Sequence, residues 1–249
     1  MIGYILKNFM AGSVSHRVVV VPGKELKPFY LEPFTYELRH LGYDAETVKL
    51  GTGDDDTFDD DAAAIVRCAG ESQLFHVVTH SRGIEGGTRV ARALTENGLT
   101  SRLGSLTIFN SGGLHGWRLD GETKEQAEQA RYTERAQRIL KVIDRNNPKL
   151  IVAFFGVNDR LQESMLLSSL GEERSLITSA APLPGETDVP IKVFQGDDDS
   201  VLNLERAERV FQENFGISPI VQRGGHLLPL EDPALCAKLT HRHISSVSN

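Results

Sequence analysis

A serine hydroxyl becomes a nucleophile only when a neighbouring base takes its proton and a third group orients that base. Three segments of the chain carry residues of those types. The first is Leu-Phe-His-Val-Val-Thr-His-Ser-Arg-Gly, Leu74 to Gly83, where an apolar run gives way to a helical pattern at Thr79-x-Ser81-x-Gly83. To project its Oγ above a sheet, such a serine must adopt a strained backbone, so the residues two before and two after it have to be small. Thr79 and Gly83 meet that need, although Thr79 is bulkier than the glycine that fits most easily. A helix opening just after Ser81 would aim free N–H groups at the site, where they stabilise negative charge. Taken alone, the same serine reads equally well as a helix N-cap.

The other two segments change that balance. Ile191 to Val201, Ile-Lys-Val-Phe-Gln-Gly-Asp-Asp-Asp-Ser-Val, is a strand-like run ending in a glycine turn rich in carboxylates. Gly224 to Pro233, Gly-Gly-His-Leu-Leu-Pro-Leu-Glu-Asp-Pro, places His226 in a loop after the next strand-like run. Nucleophile, acid and base then follow in chain order, each at the carboxyl end of a strand. Other histidines fit quieter roles. His76 lies inside a buried strand pattern, His80 is expected to pack beneath the turn, and His241 and His243 are expected on a solvated face or tail. His115, which follows Gly112-Gly113, is a candidate substrate contact. Trp117, with Leu114 and Leu119 around it, either lines a substrate pocket or anchors an insertion.

The elements that must position these residues alternate between strand and helix. Arg-Val-Val-Val-Val-Pro-Gly from Arg17 suits a strand buried on both faces of a parallel sheet. A helix over roughly Leu31 to Leu41, a strand over Asp44 to Leu50 and a helix opening near Thr57 follow. The strand at Leu74 to Thr79, a helix over Arg82 to Asn97 and a strand at Leu106 to Asn110 continue the rhythm. It resumes with a strand at Ile191 to Gln195, a helix at Leu204 to Asn214, a strand at Ser218 to Gln222 and a last helix from about Pro233. This pattern predicts an α/β fold, a doubly wound and mostly parallel sheet with helices on both faces. Between these blocks, Glu122 to Asp144 is a charged run of good helix formers, and Asn158 suits a cap for a helix through Leu161 to Leu170. Residues 112–189 are therefore expected to form a helical cap inserted into a single domain spanning 1–249.

Composition narrows the classes of function. A chain of 249 residues with 40% apolar and 24% charged residues is ordinary for a soluble globular protein, and its apolar runs are of strand length. A net charge of -7 argues against nucleic acid as a partner, since phosphate binding needs clustered Lys and Arg. Cys68 and Cys236 are too few for a disulfide framework and lack zinc-site spacing. The start of the chain has no long apolar core of a secretory signal, so a cytoplasmic location is expected. The acidic runs Asp54-Asp55-Asp56 and Asp59-Asp60-Asp61 lack the alternating ligands of a calcium loop, and no metal or other cofactor is expected.

On these segments the chain resembles the α/β-hydrolase superfamily, in particular its small esterase-like members with a helical cap, from Val18 to about Leu239. Its nucleophile elbow falls on Thr79-His80-Ser81-Arg82-Gly83, its Gly-x-x-Asp turn on Gly196 to Asp199, and its Gly-His loop on Gly225-His226. The resemblance implies a triad of Ser81, Asp199 and His226, with Asp197 and Asp198 as alternative registers for the acid. The family's His-Gly after the first long strand is Pro22-Gly23 here, and by alignment the oxyanion hole is formed by the N–H groups of Lys24 and Arg82. Phe154 to Asp159 is loosely similar to a segment linking cap helices back to the sheet in esterase-like and hydroxynitrile-lyase-like members. The implied activity is hydrolysis of a small-molecule carboxylic ester, thioester or lactone through an acyl-enzyme. Lyase, cyclase and cofactor-free oxygenase reactions, and small-molecule binding without catalysis, share the fold. Serine at position 81 excludes the variant with an aspartate nucleophile.

Overall fold

The computed structural model describes residues 16–23, 28–50, 58–70, 72, 74–113, 119, 121–123, 126, 188–199 and 202–248. Six strands, β1 (Arg17–Val21), β2 (Asp44–Thr47), β3 (Phe75–His80), β4 (Leu103–Phe109), β5 (Ile191–Gly196) and β6 (Ile220–Gln222), form one sheet. Every neighbouring pair is parallel, in the order β2-β1-β3-β4-β5-β6. Burial explains the residue choice strand by strand. Val18 to Val21 are all buried because β1 lies between β2 and β3 and carries packed layers on both faces, and all of β3 is buried for the same reason. At the edge of the sheet β2 alternates exposed Asp44 and Glu46 with buried Ala45 and Thr47.

Helices cover both faces. On one side lie α2 (Phe58–Ala69), α3 (Ile84–Glu96) and α4 (Leu204–Phe215), closing a core with Val19, Val21, Val77, Leu106 and Ile108. On the other lie α1 (Glu32–His40), the short α5 (Leu228–Glu231) and α6 (Pro233–Val247), closing a second core with Val18, Val20, Val78, Phe109 and Phe194. The expected doubly wound α/β sheet is therefore present. None of the described helices is long and apolar enough to cross a membrane. The chain leaves β1 toward β2 on one side and returns to β3 on the other, so the loops after β1 and β3 diverge. In open parallel sheets that divergence opens a crevice at the carboxyl ends of the strands, which is where Gly23 and Ser81 sit.

Several elements differ from expectation. β4 starts at Leu103 rather than Leu106, because Gly104 and Ser105 weaken its apolar signal. The chain after Ser81 makes a 3-10 turn, Ser81–Gly83, before α3 begins at Ile84. α5, Leu-Pro-Leu-Glu, is too short to show a helical period. His243 is buried rather than solvated, with Nδ1 2.9 Å from Thr107 Oγ1. His76 is a core residue held by Ser105 Oγ at 2.9 Å and His16 at 3.1 Å. Of residues 112–189 only 112, 113, 119, 121–123, 126, 188 and 189 are described, so the expected cap helices lie outside the described residues, Glu122 to Asp144 apart from 122, 123 and 126, and Leu161 to Leu170 with Asn158 entirely.

His76 and His243 make acid stability a consequence of the fold. Burial lowers both to about 4, helped at His76 by the nearby His16 and His243 and at His243 by Lys192. Below pH 6.5 the unfolded chain takes up protons that the folded chain refuses, so stability is complete above that pH and falls toward pH 4. The slope is about 1.4 kcal/mol per pH unit for each such histidine. Urea unfolding between pH 7 and 4.5 should show this loss, and His243→Gln should flatten the slope by about one proton's share even if it lowers stability at pH 7. An unchanged slope in that variant would remove His243 from the account.

Candidate active site

The site begins with a backbone conformation. His80 ends β3 in extended geometry, φ -121° and ψ 137°, and the next residue, Ser81, turns to φ +52°. That left-handed conformation costs a residue with a Cβ about 1–2 kcal/mol. It is held by close packing that glycine alone permits. A Cβ on Gly83 would lie 2.6 Å from Pro22 O and 2.9 Å from Val21 O, so the turn sits directly on the end of β1. The bulk of Thr79 is accommodated one helical turn later, since a Cβ on Gly87 would lie 2.7 Å from the Thr79 methyl. Thr79 is tolerated two residues before the serine because α3 presents a glycine to it.

The acid turn and the histidine loop are fitted together in the same way. A Cβ on Gly196 would overlap Gly224 O and lie 2.6 Å from Gly225 O, so β5 ends in backbone contact with the loop that carries His226. The three consecutive aspartates then divide. Exposed Asp197 accepts the Gly224 N–H at 2.9 Å, and the Asp198 N–H donates to Gly224 O at 2.9 Å, joining the turn to the loop. Glu231 accepts the Gly225 N–H at 2.6 Å from the other side. Asp199 turns inward, and its Oδ2 lies 2.9 Å from His226 Nδ1. Of the three registers considered for the acid, the structure brings Asp199 to the imidazole.

His226 Nε2 lies 3.2 Å from Ser81 Oγ, which completes the chain Ser81–His226–Asp199. A carboxylate only accepts, so His226 Nδ1 carries the proton and Nε2 presents its lone pair to the Ser81 hydroxyl. Burial pushes the Asp199 carboxyl up, but this is outweighed by His226 and by hydrogen bonds from Asn110 Nδ2 to Oδ2 and from the Leu202 N–H to Oδ1, so its pKa is lowered. Asp199 is thereby kept ionised in a site from which water is largely removed.

Asn110 was not singled out in the sequence. It follows β4 at φ +49°, a conformation asparagine tolerates better than most residues, and its Nδ2 also donates to Gly225 O at 3.1 Å. With two acceptors facing Nδ2, the orientation of the amide is determined. One side chain thus ties the end of β4 to both the acid and the histidine loop. The available signal was an Asn-Ser-Gly-Gly turn at the end of a buried strand.

Arg82 lies next to Ser81, half-buried, in the 3-10 turn that precedes α3. Gly23 donates its N–H to Tyr30 Oη at 3.2 Å, so that donor is already engaged. Lys24, His115 and Trp117 lie outside the described residues. Among the described residues no group of three His, Cys, Asp or Glu side chains is placed to hold a metal ion.

No protein-family model matches the chain, and no curated protein matches it in sequence. Solved structures do match. An extracellular α/β-hydrolase from a Paenibacillus species, described as sharing structural and functional homology with tobacco salicylic acid binding protein 2, is 16% identical with a TM-score of 0.57, over 92% of this chain and 98% of that one. The type II thioesterase YbtT of the yersiniabactin biosynthetic pathway is 17% identical with a TM-score of 0.58, over 95% of both chains. The pyrethroid hydrolase PytH is 13% identical with a TM-score of 0.61, over 94% of this chain and 99% of that one. The fold is that of the α/β-hydrolases.

The strain at Ser81 can be measured. Glycine relieves a left-handed residue and alanine does not, so Ser81→Gly should be more stable than Ser81→Ala by about 1 kcal/mol in urea unfolding. Equal stabilities would mean that the turn is not strained at this position.

Proposed function

We propose that this chain, with its α/β-hydrolase fold, is a serine hydrolase that cleaves a small-molecule carboxylic ester, or the related thioester or lactone, through an acyl-enzyme on Ser81. The observation that supports this reading most is the hydrogen-bonded chain from Ser81 Oγ through His226 to buried Asp199, at the crevice between β1 and β3. Each part has a definite task. As Ser81 Oγ attacks the acyl carbon, its proton passes to His226 Nε2, and the imidazolium formed is stabilised by the Asp199 carboxylate through Nδ1. Collapse of the tetrahedral intermediate breaks the bond to the leaving alcohol or thiol, which takes the proton from His226. Water, deprotonated by His226 in turn, then releases the acid and regenerates Ser81.

The tetrahedral oxyanion needs donors on the far side of the carbon. In this reading the Arg82 N–H, in the turn that leads into α3, is one of them, and Lys24 supplies the other. Such a donor contributes about 3–4 kcal/mol in well-studied hydrolases. Asn110 stabilises the ionised acid by donating to the same oxygen of Asp199 that holds His226.

A fluorophosphonate probe should label the folded protein on Ser81 and leave Ser81→Ala unlabelled, with hydrolysis then screened over ester, thioester and lactone panels. A folded wild-type protein that resists the probe would end the acyl-enzyme reading. Asn110→Ala should move the acid limb of the labelling rate to higher pH, because the protonated form of Asp199 is favoured once the Nδ2 donor is gone. The limb staying in place would show that Asn110 does not tune the acid.

A further inference from the structure

His80 is joined to Ser81 by one peptide bond, yet its side chain points away from the crevice and is buried. Its Nε2 lies 2.7 Å from the main-chain oxygen of His226, and its Nδ1 lies 2.6 Å from Tyr30 Oη. Tyr30, in the 3-10 turn Pro28–Leu31 before α1, takes the Gly23 N–H on the same phenol oxygen at 3.2 Å. The proton directions are forced. A carbonyl only accepts, so His80 Nε2 carries a hydrogen; Nδ1 therefore accepts from the Tyr30 hydroxyl, whose oxygen accepts from Gly23. Burial lowers His80 to about 3, aided by the adjacent His226, and pushes the Tyr30 phenol far above its ordinary range, so both side chains stay neutral where the protein is folded.

We propose that Tyr30 and His80 are positioning residues for acyl transfer, a buried strut that sets the reach from Ser81 to His226 and fixes the end of β1 beside them. This rests on the acyl-enzyme reading above. His80 is attached to the nucleophile through its own backbone and to the base through its ring, so a single residue with two rotatable side-chain bonds spans the pair. Any displacement of the ring moves the His226 backbone relative to Ser81. Tyr30 Oη, held by Gly23, stops the ring from rotating. The contact also carries packing between rings, edge-to-face for Tyr30 and His80 with centroids 5.4 Å apart and tilted for His80 and His226 with centroids 5.1 Å apart. Packing of that kind survives loss of the hydroxyl, whereas the hydrogen-bonded strut does not. Misplacement of reacting groups by about 1 Å costs about a hundredfold in rate, so a partial loosening should be plainly visible in kcat.

Three variants and one spectrum test this. Tyr30→Phe keeps the ring and removes the hydroxyl, His80→Leu removes the donor to His226, and His80→Gln keeps a neutral N–H donor of similar reach. With p-nitrophenyl acetate and the fluorophosphonate probe, Tyr30→Phe and His80→Leu should lose about tenfold or more in kcat and labelling rate while KM changes little, and His80→Gln should recover most of the loss. Nitrogen-15 NMR of the wild-type imidazoles should show His80 neutral with its proton on Nε2 at pH 5. Wild-type rates in folded Tyr30→Phe, or no recovery in His80→Gln relative to a folded His80→Leu, would overturn the strut, as would a His80 proton on Nδ1. Tyr30→Phe and the spectrum carry the test if His80→Leu does not fold. A wild-type protein that neither labels nor hydrolyses ends the acyl-enzyme reading and the catalytic role of the strut with it, whereas a reactive wild type with indifferent variants ends the strut alone.

Discussion

The contact between Gly83 and the end of β1 is the constraint from which the site follows. Because a Cβ on Gly83 would lie 2.6 Å from Pro22 O, the turn after β3 can rest directly on the neighbouring strand, and Ser81 has to take φ +52° to get there. That conformation lifts the hydroxyl off the sheet and starts α3 immediately beneath it. The local cost of about 1–2 kcal/mol is offset by a well-packed junction in which Gly83 lies against the backbone of Val21 and Pro22 and Gly87 lies against Thr79. At this junction the strain is therefore localised at Ser81, whose surroundings determine its geometry.

The second half of the site uses backbone contact in the same manner. Gly196 lies against the carbonyls of Gly224 and Gly225, so the acid turn and the base loop cannot move independently. Asp197 and Glu231 each take an N–H from those two glycines, and Asn110 reaches Gly225 O and Asp199 together. Carboxylates with the same intrinsic chemistry thereby receive different tasks. Exposed Asp197 and Glu231 brace the loop, while buried Asp199, supplied with donors on both oxygens, remains charged beside His226.

Much of this was legible in the chain because the informative residues are close in sequence to strand ends. The valine run of β1, the Thr-x-Ser-x-Gly turn and the carboxylate-rich glycine turn each announce a strand terminus, and strand termini on one edge of a parallel sheet share a crevice. What was hidden depends on partners distant in sequence. The fit of Thr79 is explained by Gly87 in the following helix, the choice of Asp199 over its two neighbours by hydrogen bonds to Asn110 and Leu202, and the burial of His243 by Thr107 in a strand far upstream. The start of β4 was missed because Gly104 and Ser105 are shaped by contact with His76 rather than by strand propensity. Local pattern identifies the elements, and polar pairing across the core selects which residue of each element works.

The histidines show how environment rather than residue type assigns chemistry. His76, His80 and His243 are buried against hydroxyl groups, a main-chain carbonyl and another imidazole, and burial lowers all of them far below the ordinary value. None could hold a proton taken from a nucleophile at neutral pH. His226 is equally buried but faces a carboxylate, so the imidazolium it would form has a counter-charge 2.9 Å away. The neutrality of His80 matters to that difference. Its ring centre is 5.1 Å from that of His226, and a charge there would oppose the imidazolium at the moment it forms. Keeping His80 uncharged leaves the Asp199 carboxylate as the charge in direct contact with His226, which is the arrangement the proposed acyl transfer requires.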